Sequence, residues 1–223
     1  MDKIEYYMGM EEGIGKVFAS ERERMVDEQL IPRGVRDQGV LAAMRKVERE
    51  RFVPPGESAR SYLDGPLPIG SGQTISQPYI VAYMTELMEL RGGEKVLELG
   101  TGSGYQTAVL AEMGADTYTV ERIPQLAERA EKLLRDEMGY PNIQFRTGNG
   151  AEGWAEHAPF DRIIVTASPE EFPESLFRQL GEGGIIISPV GGFFQNIVKF
   201  EKKGGKILKS VQIAVSFVPL VLD

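Results

Sequence analysis

Gly100, Gly102 and Gly104 alternate through a five-residue run. Two carboxylates accompany them: Glu98 stands two residues before the first glycine and Glu121 seventeen after the last. Glycine lets the backbone approach a ligand closely and take positive φ. A helix start just beyond offers unpaired N–H groups. With acids supplied by the protein, such a turn suits a ligand that carries cationic groups and hydroxyls. Two familiar phosphate-binding turns do not fit. The dinucleotide pattern G-x-G-x-x-G meets Tyr105 when counted from Gly100 and Thr107 when counted from Gly102. No Gly-Lys pair is followed by Ser or Thr, as a phosphate-cradling loop requires. The bland alternative is a tight turn flanked by two solvated acids.

For these groups to converge, a strand must end at Gly100 and a helix must start just after Gly104. The pattern supplies both, with Lys95–Leu99 as a strand and Tyr105–Met113 as a helix stopped by Gly114. Strand and helix patterns then alternate. Asp116–Val120 is a strand that brings Glu121 to its end, Pro124 to about Met138 a helix, and Ile143–Thr147 a strand leading to the Gly148-Asn149-Gly150 turn. Asp161–Thr166 has the continuous apolar run of a buried parallel strand. Pro173–Leu180 reads as a helix, Ile185–Val190 as a strand, and Gln195–Glu201 with Lys206–Phe217 as a hairpin around Lys202-Lys203-Gly204-Gly205. Upstream, helices are expected from about Gly13 to Leu30, from Val35 to Val47 and from Gln77-Pro78 to about Leu90, with a loop over 51–72. The fold class is α/β: a doubly wound, mostly parallel, Rossmann-like sheet with an N-terminal helical region and a C-terminal β-hairpin. The organisation expected is a single domain over 1–223, with an N-terminal extension (1–20), a helical front carrying a loop (21–92) and an α/β core (93–223).

Composition narrows the chemistry. Among 223 residues there is no Cys and one His, His157. That excludes disulfide frameworks, thiolate metal sites and cysteine nucleophiles, and no metal is expected. A net charge of −8 disfavours nucleic acid as a partner. No apolar run is long enough for a membrane span, and the acidic start (Asp2, Glu5, Glu11, Glu12) is unlike a secretory signal, so a cytoplasmic location is expected. Trp154 reads as a packing anchor and His157 as a loop residue.

The G-x-G-x-G spacing with Glu98 resembles the S-adenosylmethionine loop of class I methyltransferases, and Glu121 stands where a carboxylate can accept both ribose hydroxyls. Base-amine methylation is disfavoured, because Thr166-Ala167-Ser168-Pro169 replaces the Asn/Asp-Pro-Pro-Tyr motif after the fourth strand. A carboxylate acceptor, with a reference pKa of about 4, is already ionised at neutral pH. It needs alignment and desolvation rather than a base, which is compatible with a chain so poor in imidazole and thiol.

A more specific resemblance follows from the run Pro66-Leu67-Pro68-Ile69-Gly70-Ser71-Gly72-Gln73-Thr74-Ile75-Ser76-Gln77-Pro78-Tyr79. With Met25–Leu30, Phe52-Val53-Pro54, Gly100–Thr107, Val120-Glu121-Arg122-Ile123 and Phe217–Val221, it is similar to the protein-L-isoaspartate O-methyltransferases over about residues 25 to 222. The resemblance implies methyl transfer from S-adenosyl-L-methionine to the α-carboxylate of L-isoaspartyl residues in damaged proteins, with Ser76 as the active-site residue. It implies cofactor contacts from Gln73, Thr74, Ile75, Ser76, Glu98, Gly100, Thr101, Gly102, Gly104, Glu121, Asn149 and Gly150, and substrate contacts from Ser76, Val218, Pro219 and Leu220. Partners would be isoaspartyl-containing proteins and peptides, with neither nucleic acid nor membrane, and a monomer is the simplest oligomeric state. Ser76 also reads as a helix N-cap before Gln77-Pro78. Asn149 departs from the Asp of the family's Gly-Asp-Gly turn; its amide oxygen still accepts. The alternatives are another class I methyltransferase, with a small-molecule carboxylate or other acceptor, and a cofactor-binding module without turnover.

Overall fold

The computed structural model describes residues 3–221. The outermost two residues at each end of the expected 1–223 span lie outside the described residues. Helix α1 (Lys3–Met25) runs directly into one wide turn, Val26–Leu30. The helix expected from about Gly13 therefore starts at Lys3. Gly13 and Gly15 lower helix propensity without stopping a stretch otherwise rich in Lys, Glu and Met.

Helix α2 (Gln38–Lys46) is shorter than the expected 35–47. Asp37 sets its start, accepting the Val40 N–H at 3.0 Å, and Val40, Leu41 and Met44 form its buried face. Residues 67–75, expected as loop and helix lead-in, instead form a hairpin of β1 (Leu67–Gly70) and β2 (Gln73–Ile75). Leu67 and Ile69 point inward between exposed Pro68 and Gly70, so the period of two is present but masked by Pro and Gly. Helix α3 (Pro78–Leu87) follows, with Pro78 at its first position.

The alternating body comprises β3 (Lys95–Leu99), α4 (Tyr105–Glu112), β4 (Asp116–Glu121), α5 (Pro124–Glu131) extended by a wide turn Lys132–Glu137, β5 (Ile143–Thr147), β6 (Phe160–Val165), α6 (Glu174–Gln179), β7 (Leu180–Val190), β8 (Gln195–Lys203) and β9 (Lys206–Val215). The seven-stranded sheet has the order β5-β4-β3-β6-β7-β8-β9. The first five of these are parallel, and β8 and β9 close the edge as an antiparallel hairpin. β7 begins at Leu180 rather than Ile185, carried back by an irregularity in its pairing with β6.

Alternation along each strand divides the core between the two sheet faces. Leu97, Leu99, Ile163, Val165 and Ile186 pack with Leu176 of α6. Val96, Ile164, Ile185 and Ile187 pack with Met84 and Met88 from the α3 region and Leu110 of α4. The chain moves outward from β3 to β4 in one direction and returns to its other side with β6. The carboxyl ends of β3, β4 and β6 thus flank a topological switch point, where such sheets form a crevice.

Candidate functional site

A cleft opens at that switch point, where sheets of this kind take their ligands. The β3–α4 turn forms one side of it. Gly100, Gly102 and Gly104 all have positive φ, at +95°, +56° and +89°. Gly100 and Gly102 line the cleft with Thr101 between them. Gly104 does not line it: a Cβ there would come within 2.9 Å of Leu134 Cδ1, so this glycine lets α4 pack close to the α5 extension.

The two acids have different situations. Glu121 lines the cleft and is 6% exposed. Its Oε2 accepts the Gly102 N–H at 2.8 Å and its Oε1 accepts the Ile123 N–H at 2.9 Å. Each oxygen keeps a lone pair, so the same carboxylate that shapes the glycine turn can accept ligand hydroxyls. Glu98 is fully buried and is not among the cleft-lining residues. As the residue after Val96 and Leu97 on β3, it falls on the α4 side of the sheet. Its Oε2 accepts from Thr107 Oγ1 at 2.5 Å and Thr119 Oγ1 at 2.7 Å. Thr101, at the cleft wall, bonds Thr119 Oγ1 at 2.6 Å. Glu98 is thus linked to the cleft wall through the chain Thr119–Thr101, which fixes the turn.

Burial pushes the Glu98 carboxyl up to about 7, against two hydroxyl donors that favour its charged form, and its Oε1 has no partner. The native state therefore holds its proton more tightly than the unfolded chain does. The group contributes nothing below the ordinary carboxylate range and destabilises progressively as pH rises from about 4.5 to about 7. At about 1.4 kcal/mol per unit, the full effect is about 3 kcal/mol. Glu98→Gln is expected to flatten the decline of melting temperature between pH 4.5 and 7.5. The slope is the readout, because the new amide N–H is itself unpaired. Parallel curves for the two proteins would refute this account.

The hairpin supplies the opposite wall, with Gln73, Thr74, Ile75 and Ser76 all facing the cleft. The cap position of α3 belongs to Gln77, and no side chain caps that helix, so Ser76 is not occupied in capping. Arg49 fixes this segment, and sequence reasoning missed it. In Glu48-Arg49-Glu50-Arg51 it looks solvated, yet it is fully buried. Its Nη2 donates to the Ser76 carbonyl at 2.8 Å and its Nε to the Ser61 carbonyl at 2.7 Å, while the guanidinium lies 4.7 Å from the centre of the Tyr105 ring. Tyr105 in turn lines the cleft.

The remaining expected residues divide. Gly150 lines the cleft, whereas Asn149 does not; its Oδ1 accepts the Ala151 N–H at 3.0 Å and starts the short turn Gly150–Glu152. Pro219 and Leu220 line the cleft with Val221. This segment is held by Ser168, whose N–H donates to the Val218 carbonyl and whose carbonyl accepts the Leu220 N–H, both at 2.8 Å. Val218 faces a second cavity of about 310 Å³, lined also by Pro66, Ile80 and Phe217. Thr74 and Ser76 line both cavities. Sequence reasoning did not identify Val81, Ser103, Gln106, Arg122, Ile123, Thr166 and Ala167 as lining residues; for Ser103, Arg122, Ile123 and Thr166 the available signal was adjacency to a glycine turn or a strand end. Trp154 and His157 pack against Tyr118, with ring centres 5.7 and 4.7 Å away, and do not line the cleft. Among the described residues no group of acids and histidine could hold a metal ion, and no helix is long and apolar enough to cross a membrane.

Comparison with known proteins agrees with this geometry. The family model for protein-L-isoaspartate(D-aspartate) O-methyltransferase matches residues 20–223. A protein-L-isoaspartate O-methyltransferase of Gloeobacter violaceus is 56% identical over 201 residues, covering 89% of this chain and 98% of that protein. One from Picosynechococcus is 50% identical over 199 residues, covering 89% of each. A Plasmodium falciparum structure assigned to the same activity, in complex with S-adenosyl-L-homocysteine, is 28% identical. It superposes with a TM-score of 0.78 over 91% of this chain and 99% of that one.

Proposed function

Since the chain belongs to the protein-L-isoaspartate(D-aspartate) O-methyltransferase family, we propose how its own residues divide the work of that reaction. The enzyme transfers a methyl group from S-adenosyl-L-methionine to the α-carboxylate of L-isoaspartyl residues in damaged proteins, which initiates repair through a succinimide. The observation that carries the residue assignment is the position of Ser76 and Thr74 at the junction of the two cavities. The first cavity takes the donor and the second takes the isoaspartyl chain, so the two reacting groups meet at Ser76.

The residues present fit the donor. Glu121 has free lone pairs directed at a cleft whose glycines expose bare backbone, and a donor bearing ribose hydroxyls and cationic groups matches both. When bound, S-adenosyl-L-methionine supplies a methyl group activated by its sulfonium. Glu121 holds the ribose hydroxyls, and Gly100, Thr101 and Gly102 form the backbone surface beside them. Gly150 would meet the adenine side of the donor, on a turn that Asn149 Oδ1 holds by accepting the Ala151 N–H. Ile75, Val81, Val120 and Tyr105 exclude water, which strengthens the electrostatic interactions of the enclosed charges. The acceptor carboxylate arrives ionised, so Ser76 acts as a hydrogen-bond donor that orients it rather than as a base or nucleophile, with no imidazole needed. Val218, Pro219 and Leu220 hold the flanking peptide. We assign all of this to one methyltransferase domain located in the cytoplasm and working as a monomer.

The test is transfer of labelled methyl to an isoaspartyl peptide beside its aspartyl counterpart. Base-labile label on the isoaspartyl peptide alone is the expected result, and no label on either would sink the assignment. In the same assay Ser76→Ala is expected to lower kcat by about tenfold, the worth of one hydrogen bond to a charged group, with donor affinity nearly unchanged. A wild-type kcat in that variant would remove Ser76 from the chemistry.

A further inference from the structure

Two neighbouring phenylalanines, Phe193 and Phe194, stand almost entirely in solvent, 95% and 83% exposed, with ring centres 5.0 Å apart at right angles. They occupy the turn between β7 and β8. Exposed aromatic side chains gathered at one spot mark an interaction surface more often than chance placement does, and the location of this pair narrows the partner. β7 runs parallel to β6, so the turn after it emerges at the same carboxyl edge of the sheet as the donor cleft.

The turn is also tied to the segment that walls both cavities. Ser168 Oγ donates to the Gly191 carbonyl at 2.9 Å, while the backbone of Ser168 holds Val218 and Leu220. The side-chain amide of Gln195, the residue directly after the pair, mimics a strand neighbour. Its Oε1 accepts the Phe217 N–H at 2.6 Å and its Nε2 donates to the Phe217 carbonyl at 3.1 Å. The phenylalanines are thus mounted on the outer side of the peptide-facing wall, with no second layer of protein over them.

We propose that Phe193 and Phe194 form an apolar rim that binds side chains flanking the isoaspartyl residue, so that this enzyme favours damaged segments bearing aromatic or large aliphatic residues beside the lesion. The inference rests on the isoaspartyl reading above. Phe217 and Val218 line the second cavity beside Ser76, and Gln195, next to the phenylalanine pair, is bonded to Phe217, so a polypeptide running along that wall would come to the rim. An exposed, unfolded segment offers the unburied apolar side chains that such a rim would cover.

The test uses two isoaspartyl peptides of equal length and charge, one with Leu and Phe on both sides of the lesion and one with Ser and Thr. They are assayed with the wild-type chain and with Phe193→Ser/Phe194→Ser. Burying one such side chain is worth about tenfold in affinity. The wild type is expected to show a KM about tenfold lower for the apolar peptide at equal kcat, and the double variant to treat the two peptides alike, with donor affinity and kcat retained. A preference that survives in the variant, or no preference in the wild type, overturns the proposal. So does a shift of the wild type from dimer to monomer on substitution without any change in peptide preference, because the rim would then join two copies of this chain. Should neither peptide be methylated, the isoaspartyl reading itself fails. Calorimetric binding of the same peptides still decides the rim in that case: tighter apolar-peptide binding lost in the variant supports it, and equal binding refutes it.

Discussion

Glu121→Ala weakens donor binding by about a hundredfold or more and destabilises the fold by about 2 kcal/mol. Both effects have the same origin. The carboxylate accepts the Gly102 and Ile123 N–H groups, at 2.8 and 2.9 Å, from a site that is almost fully buried. Removing it leaves two part-buried backbone donors unpaired, each costing about 1 kcal/mol, the low end for an unpaired donor. The ligand loses a charged acceptor for its ribose hydroxyls, worth about 1.5–3 kcal/mol per bond, and the turn that should receive it loosens. Glu121→Gln should not rescue fully. One carboxamide oxygen can serve one N–H, but the NH2 group then faces the other. Calorimetry for the donor and chemical denaturation measure the two effects separately. An alanine variant with wild-type donor affinity would show that the ribose is held elsewhere.

Gly100→Ala is the second large effect, and its cause is steric. The residue has φ +95°, and a Cβ built on it would sit 2.4 Å from Thr166 Oγ1. That hydroxyl is not free to turn away, since it donates toward the Gly100 carbonyl at 2.6 Å and the Leu99 carbonyl at 3.0 Å. The substitution therefore strains the backbone, by about 1–3 kcal/mol for a non-glycine residue in that region, and displaces the hydroxyl that joins the end of β6 to the Gly100 carbonyl, leaving the backbone bond from Thr166 to Leu99. A turn that relaxes to relieve this must be forced back before the donor can bind, so donor affinity is expected to fall by up to about a hundredfold, the equivalent of about 3 kcal/mol. A double-mutant cycle isolates the clash. Thr166→Ala alone is mild, and in combination with Gly100→Ala it recovers part of the affinity, because the nearest remaining Thr166 atom, Cβ, would be 3.7 Å away. What remains lost is the strain of positive φ. Strict additivity of the two substitutions would contradict the contact.

The legibility of this fold in its sequence varied with how locally each element is determined. β3 and β5 matched at both ends, because short segments with β-forming residues closed off by Gly or Asn leave little room for other choices. The β1–β2 hairpin did not, since Pro68, Gly70 and Gly72 carry the letters of a loop while only Leu67, Ile69 and Ile75 reveal the inward face. Among the candidate site residues, Gln73–Ser76, Gly100–Gly102, Glu121 and Gly150 converge on one cleft. Glu98 shows where spacing loses its power. In a strand buried on both faces, burial gives no alternation to say which face a side chain takes, and only the partners Thr107 and Thr119, from other elements, settle it. Arg49 was hidden for a related reason: a residue in an alternating Glu-Arg run shows no sign of two backbone carbonyls contributed by residues 12 and 27 positions away.

The walls of the donor cleft come from distant stretches of chain, residues 73–76 on one side and 219–221 on the other, with the second held by Ser168. During synthesis from the N-terminus, the glycine turn and Glu121 leave the ribosome well before residues 219–221, and a domain generally folds as a unit. A nascent chain at that stage lacks residues 219–221 and so the wall they form. Affinity for the donor is therefore a property of the finished sheet. Because a ligand stabilises the state that binds it, any ligand held between the two walls favours docking of the last one to arrive.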